Sequence, residues 1–161
     1  MLNRINLCAM VLAVVSLATA NRALGAAEDE KPAVQAAVAA FHSALNTLFT
    51  GDAGPMKAVW SHADDVTYMG PSGSFQVGWT RIEPYWDKQA AAKLGGKVEP
   101  TDIHLTVSPQ LAVAHYYEKG ENIVAGKPQP VSIRTTTIFR NEKGQWKVIG
   151  HHTDTLAYLQ K

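Results

Sequence analysis

Apolar residues recur at steps of three and four from Val34 through Ala37, Val38, Phe41, Leu45, Leu48 and Phe49. That spacing predicts an amphipathic helix. Pro32 suits its first turn, and Gly51 in "TGDAGP" is a natural C-terminal stop. "PMKAVWSH" predicts a short second helix carrying Trp60. The period then shortens. Val66 and Tyr68 alternate with polar or smaller neighbours, Gly70, Pro71 and Gly73 form a turn, and "SFQVG" returns as a second short strand. Thr80 followed by Glu83 has the pattern of a capping box. It predicts a helix over "RIEPYWDKQAAAKL" that stops at Gly95-Gly96, with Pro84 tolerated in the first turn.

Strand-like alternation fills the rest of the chain. Ile103, Leu105 and Val107 alternate with Asp102, His104 and Thr106, and "SPQ" turns the chain. Leu111, Val113, His115 and Tyr117 then share the more apolar face of a strand, with Ala112, Ala114 and Tyr116 on the other. After "AGKPQP", Val131, Ile133, Thr135, Thr137 and Phe139 share a face. "NEKG" predicts a hairpin turn into a last strand from Trp146 to Asp154. Helices followed by an antiparallel meander predict an α+β domain. No internal repeat, low-complexity tract or second domain interrupts the pattern.

The N-terminus changes the picture of location. Arg4 precedes the apolar run "LCAMVLAVVSLATA", which ends in small residues. This is the layout of a secretory signal peptide, and the run is short for a membrane span. The expected division is a signal peptide and linker over 1–26, cut near 20 or 26, and a single domain over 32–161. An uncleaved anchor is the alternative. A lipoprotein is a weaker one, because Cys8 precedes most of the apolar run. Cys8 is the only cysteine, so the exported chain has no disulfide and holds its fold by its core. Loss of Arg4 brings the 15 basic residues level with the 14 acidic ones. No basic patch stands out, which argues against nucleic acid as a partner. The expectation is a periplasmic or secreted protein with no membrane attachment after cleavage.

Candidate chemistry centres on "IGHHTD", Ile149 to Asp154. Adjacent side chains of a strand point to opposite faces, so His151 and His152 do not chelate one metal unless the strand bulges. No HExxH or EF-hand pattern occurs, and no metal or cofactor is expected. His152 and Asp154 share a face with Trp146, Val148 and Gly150, and a carboxylate beside an imidazole suits a general base. The competing reading is a half-buried histidine with an ordinary hydrogen-bond partner. Apolar content turns Trp146, Val148 and therefore His152 inward, but a bulge at Gly150 would switch the faces. Thr135, Thr137, His115 and Tyr117 are further pocket candidates. Trp60, Tyr68, Trp79 and Trp86 supply aromatic walls, although aromatics at such places more often build a core. Asp64 and Asp65 read as helix or turn ends, His42 and His104 as surface or edge residues, and His62 as a cap for the short helix.

A helix ending in "TGD", then "VWSHADDVTYMGPSG", "GWTRIEPYW" and "RTTTIFRNEKGQWKVIGHHTD", resembles the nuclear transport factor 2-like superfamily, in particular its SnoaL-like and ketosteroid-isomerase-like branches. The last segment is also similar to the end of the association domain of calcium/calmodulin-dependent kinase II. The resemblance spans nearly the whole chain after the leader. It implies a cone: N-terminal helices packed in a curved antiparallel sheet, a pocket at the open end, and often a dimer across the sheet. Aligned on "ADD" and the following proline, the aspartate base of the isomerases falls at Gly70, and their first-helix tyrosine has no match. Isomerase chemistry by that route is therefore disfavoured. Alignment with the kinase association domain turns Thr153 and its parity mates inward and places Trp86 near a pocket tryptophan.

Three functional readings remain open at this stage. One is an exported SnoaL-like protein that binds a small apolar or polar-apolar ligand, or acts as an accessory protein. The second is a cofactor-independent isomerase, cyclase or dehydratase, with His152 as acid or base, Asp154 orienting it, and Tyr117 or His115 donating to an oxyanion. The third is a dimerisation or interaction module without ligand. In each, the chain is expected to form a homodimer through its sheet. The ligand-binding set is Trp60, Tyr68, Trp86, His115, Tyr117, Thr135, Thr137 and His152.

Overall fold

The computed structural model describes residues 29–160. The expected signal peptide, with Cys8, lies outside the described residues. Helix α1 covers 29–48. Val34, Val38, Phe41, Ala44 and Leu48 form its buried stripe, and Gly51 follows it at a φ of 112°. Helix α2 is Gly54–Val59, with proline in its first turn. Helix α3 is Trp79–Ala91 and buries Trp79, Ile82, Trp86 and Ala90. Its start corrects one expectation. The N-cap is Gly78, no side chain caps it, and Pro84 lies in the second turn. Thr80 is exposed within the helix rather than before it. The carbonyl of Gly78 instead accepts from Arg81 and Ile82 at 3.1 and 3.2 Å. A short 3-10 turn, Ala157–Leu159, closes the chain.

The strands are β1 Thr67–Met69, β2 Phe75–Val77, β3 Lys97–Val107, β4 Leu111–Val124, β5 Lys127–Glu142 and β6 Gln145–Thr153. They make one 6-stranded sheet in the order β2-β1-β6-β5-β4-β3. The antiparallel meander holds from β3 to β6, but β1 runs parallel to β6, so the sheet is mixed. The parallel pair arises because the meander returns its last strand alongside the first one. The turns joining β4 to β5 and β5 to β6 have positive φ at both central positions: Ala125 and Gly126 at 51° and 74°, Lys143 and Gly144 at 55° and 84°. This is the backbone that matches the strand twist in a two-residue hairpin. Asn141 Oδ1 accepts from the Gly144 N–H at 2.9 Å and fixes the second turn.

The helices pack on one face of the sheet. Ala112, Ala114 and Tyr116 of β4 and Phe139 of β5 join the core cluster built by the helices. The inward face of β4 is therefore the alanine face, and His115 and Tyr117 point out. This reverses the expectation from apolar content. Both faces of β4 are largely apolar, and helix packing favours small residues beneath the helices.

A bulge in β6 decides the histidines. Ile138 pairs with Gly150, and Phe139 pairs with Val148, so Ile149 is an extra residue on β6. Such a bulge shifts the inward parity by one. Val148 is buried before it, and His151 and Thr153 are buried after it. His152 is exposed.

Candidate functional site

The helices and the sheet bring one polar cluster together inside the apolar core. His42 comes from α1, Tyr116, Glu118 and Asn122 from the inward face of β4, Thr135 and Thr137 from β5, and His151 from β6. All of these side chains are buried. His42 Nδ1 lies 2.8 Å from the Val38 carbonyl four residues back, so Nδ1 carries a proton and donates. Its other nitrogen, Nε2, faces Glu118 Oε1 at 3.3 Å. His151 Nε2 approaches the same oxygen at 3.7 Å.

A hydrogen-bonded chain leads away from His151. Thr137 Oγ1 is 2.9 Å from His151 Nδ1 and 2.7 Å from the Tyr116 hydroxyl. With Tyr116 donating to Thr137 and Thr137 donating to Nδ1, the His151 proton sits on Nε2 and points toward Glu118. Burial pushes the His151 imidazole down to about 4, opposed by Glu118 and assisted by His42 and His152. The ring is therefore neutral near neutral pH. Burial also raises the Tyr68 and Tyr116 phenols well above their ordinary value, so both keep their protons as donors.

Buried polar atoms normally find partners. Here His42 Nε2, Glu118 Oε1, Asn122 Nδ2, Thr135 Oγ1 and Trp86 Nε1 have no hydrogen bond among the described residues. Glu118 and Asn122, with His151, Tyr68, Trp86 and Phe41, line an interior cavity of about 50 Å3. Aromatic contacts shape it. Phe41 and Tyr68 hold the His151 ring at 4.7 and 5.9 Å, the latter stacked, and Trp86 packs against Tyr68 at 4.6 Å. A Cβ on Gly70 would overlap the Tyr68 hydroxyl and ring. The position aligned with the isomerase base is thus a glycine beneath a tyrosine.

The expected site residues divide into two groups. Tyr68 and Trp86 line the cavity, Trp60 packs behind them with its ring 5.7 Å from that of Trp86, and Thr135 and Thr137 face inward. His152, Asp154, His115 and Tyr117 do not join them. His115 and Tyr117 border a separate groove of about 320 Å3 with Arg134 and Thr136 on the outer face. Asp154 is paired with Arg134 through bonds of 2.8 and 3.1 Å. The expected dyad therefore sits at the outer surface, because the bulge at Ile149 exchanges the two histidines. His42, expected at the surface, is buried.

Glu118, His42, His151 and Asn122 are the residues that sequence reasoning missed. Each carried a signal. His42 falls in the helical stripe between Val38 and Leu45, and Glu118 shares parity with Ala112, Ala114 and Tyr116. No group of three or more histidine, cysteine, aspartate or glutamate side chains among the described residues has the arrangement to hold a metal ion.

Comparison with known proteins places this geometry. The SnoaL-like domain profile matches residues 34–157. No curated protein matches the chain. Among solved structures, the chain is similar to a candidate dehydratase of the NTF2-like family from Streptomyces avermitilis, at 19% identity and a TM-score of 0.71, covering 81% of this chain and 98% of that one. It is also similar to a candidate calcium/calmodulin-dependent protein kinase type II association domain from Thiobacillus denitrificans, at 23% identity and a TM-score of 0.63, covering 76% and 94%. A third is an NTF2-like protein with a cystatin-like fold from Novosphingobium aromaticivorans, at 16% identity and a TM-score of 0.63, covering 98% and 92%. At these identities the likenesses speak to the fold, an α+β cone, while the profile spans most of the chain: the protein belongs to the SnoaL-like domain family, with the NTF2-like fold.

Proposed function

We propose that the protein binds a small, largely apolar molecule inside the cone and moves a proton on it without a cofactor. One observation carries this reading. Glu118 lines the cavity, and its buried Oε1 faces the Nε2 atoms of His42 and His151 without a hydrogen bond among the described residues. A carboxyl group buried without a hydrogen bond is typical of a functional group rather than a packing one. Glu118 takes a proton from a carbon beside a carbonyl. Tyr68 or the Nε2–H of His151 donates to the oxygen that gains charge. In a dehydration, the C–O bond to the β-hydroxyl breaks, and Glu118 returns the proton it took to the leaving oxygen, which departs as water. The Streptomyces avermitilis neighbour, named as a candidate dehydratase, supports the direction of this reading.

The test is α-proton exchange. Small cyclic ketones and β-hydroxy ketones are incubated with the protein in D2O and followed by NMR. The wild type is expected to accelerate exchange, and Glu118→Gln to lower it by about 100-fold or more, the contribution of a positioned base. Equal rates for the two proteins would refute the proton-transfer reading. Binding without turnover is the second reading, supported by the apolar and aromatic lining of the cavity; it predicts retained ligand with no exchange.

Export and self-association are proposed alongside. The apolar N-terminal run supports export, and no helix among the described residues is long and apolar enough to cross a membrane. Cell fractionation of the full chain tests it. Exposed Phe75 and Leu111, at 60% and 47%, with Tyr117 on the outer sheet face, support a dimer through the sheet. Tyr117→Glu is expected to give a monomer in light scattering, and an unchanged mass rules against that interface.

A further inference from the structure

The mouth of the inner cavity is closed by the chain's own C-terminal segment. Leu156 and Leu159 line the cavity, and Leu159 also lines a basin of about 450 Å3 on the other side. The two spaces share Pro71, Gln89, Leu94 and Leu159 as walls. Leu156 packs against the apolar cluster of Phe49, Val98, Val131 and Ile133, and two hydrogen bonds tie the segment to the rest of the fold beyond Asp154. The Leu156 N–H donates to the Pro71 carbonyl at 2.8 Å, and the Tyr158 hydroxyl donates to the Pro130 carbonyl at 3.2 Å. The bonds from Leu159 to Leu156 and from Gln160 to Ala157 stay within the segment. At its start, the Asp154 backbone and carboxylate are fixed on Arg134, which gives the segment an anchored end from which to swing.

The charges inside limit what enters. Among the described residues no lysine or arginine lines the inner cavity, so an anionic head finds no cationic side chain there. Because His42 Nδ1 donates to Val38, Nε2 is the His42 nitrogen that faces Glu118. The rest of the cavity wall is mostly apolar and aromatic, which disfavours carrying a charged head of either sign out of water. Glu118 Oε1 and Asn122 Nδ2, which have no hydrogen bond among the described residues, call for a donor and an acceptor.

We infer that the inner cavity and the outer basin are one ligand site divided by residues 154–160, and that its ligand has an apolar body in the basin and an uncharged hydroxyl or carbonyl head at Glu118 and Asn122. This rests on the inner cavity being the ligand site proposed above. The gate opens when Leu156 releases Pro71, and it closes over the ligand's body.

The experiment uses 2-naphthol, 2-naphthoate and 2-naphthylmethylammonium as probes, with stopped-flow quenching of tryptophan fluorescence. The full chain is expected to bind the naphthol at least about tenfold tighter than either ion. A chain ending at Asp154 is expected to bind it with an on-rate raised about tenfold or more. Tyr158→Phe combined with Leu159→Ser gives the same rise if the truncated chain does not fold. Hydrogen exchange at the Leu156 amide is expected to slow when naphthol is bound. An on-rate unchanged by both variants, or a Leu156 amide indifferent to naphthol, overturns the gate. An ion that binds as tightly as naphthol overturns the ligand class. These readouts need no turnover, so they fail separately from proton exchange.

Discussion

Glu118 Oε1 lies 3.3 Å from His42 Nε2 in the centre of the core, with both side chains about 95% buried. Their coupling sets the first prediction. Removing one partner of a buried pair strands the other, at a cost of about 3–5 kcal/mol. His42→Ala is therefore expected to lower stability in urea by that amount. Glu118→Gln alone is expected to cost less, because the amide keeps the shape and can hydrogen-bond. The double variant, His42→Ala with Glu118→Gln, is expected to recover part of the His42→Ala loss. Additive effects in the double-mutant cycle would show that the two side chains do not act as a pair.

The pH dependence follows from His151. Its folded value of about 4 lies below the ordinary 6.5. Between these values the unfolded chain holds a proton that the folded chain does not. Stability is thus fully retained above 6.5, falls as pH drops toward 4, and changes no further below that through this group. The loss between about pH 7 and about pH 5 is of order 2 kcal/mol. Comparing urea midpoints of the wild type and His151→Gln isolates it, since the glutamine removes the titrating ring. An NMR titration that finds the His151 ring gaining its proton near 6.5 would sink the assignment.

On the outer face the expectation is the opposite. His152 is exposed and Asp154 is engaged with exposed Arg134. Exposed ion pairs contribute about 0–1 kcal/mol. His152→Ala and Asp154→Asn are each expected to change stability by less than about 1 kcal/mol and to leave proton exchange intact. A large loss of exchange in His152→Ala, with the fold retained, would return catalysis to the outer face.

The fold was legible because periodicity and turn chemistry agree along most of the chain. The stripe from Val34 to Leu48, the Gly51 stop and the Lys143-Gly144 turn all sit where their residue types predict. The site was less legible, because it depends on which face of each strand turns inward. On β4, Leu111, Val113 and Tyr117 outweigh Ala112 and Ala114 in apolar content, yet the alanines lie under the helices. On β6, one extra residue at Ile149 reverses every face beyond it, and alternation alone does not reveal a bulge. The Gly150 signal and the similarity to the kinase association domain both pointed to the reversal, which apolar content overrode. Glu118 was readable as a lone charge among inward parity mates, but only once that face was known.

Gly70 offers a last test of how tightly the cavity wall is built. The residue is buried, and its φ is not in the left-handed region, so a side chain there is limited by space alone. That space is taken by the Tyr68 hydroxyl and ring, themselves packed against Trp86 and the His151 ring. Gly70→Ala must push the phenol into those neighbours, and overpacking of this kind costs about 1–3 kcal/mol. Tyr68→Phe is not expected to relieve it, because the ring carbon Cζ obstructs the same position. Tyr68→Ala is expected to relieve it, so that adding Gly70→Ala to Tyr68→Ala costs little more than Tyr68→Ala alone. The same displacement alters the contact between the phenol and the His151 ring, so the His151 titration is expected to shift in Gly70→Ala. Unaltered stability together with an unaltered His151 titration would mean that the Tyr68 ring is free to yield, and that the wall beside Glu118 is softer than its packing indicates.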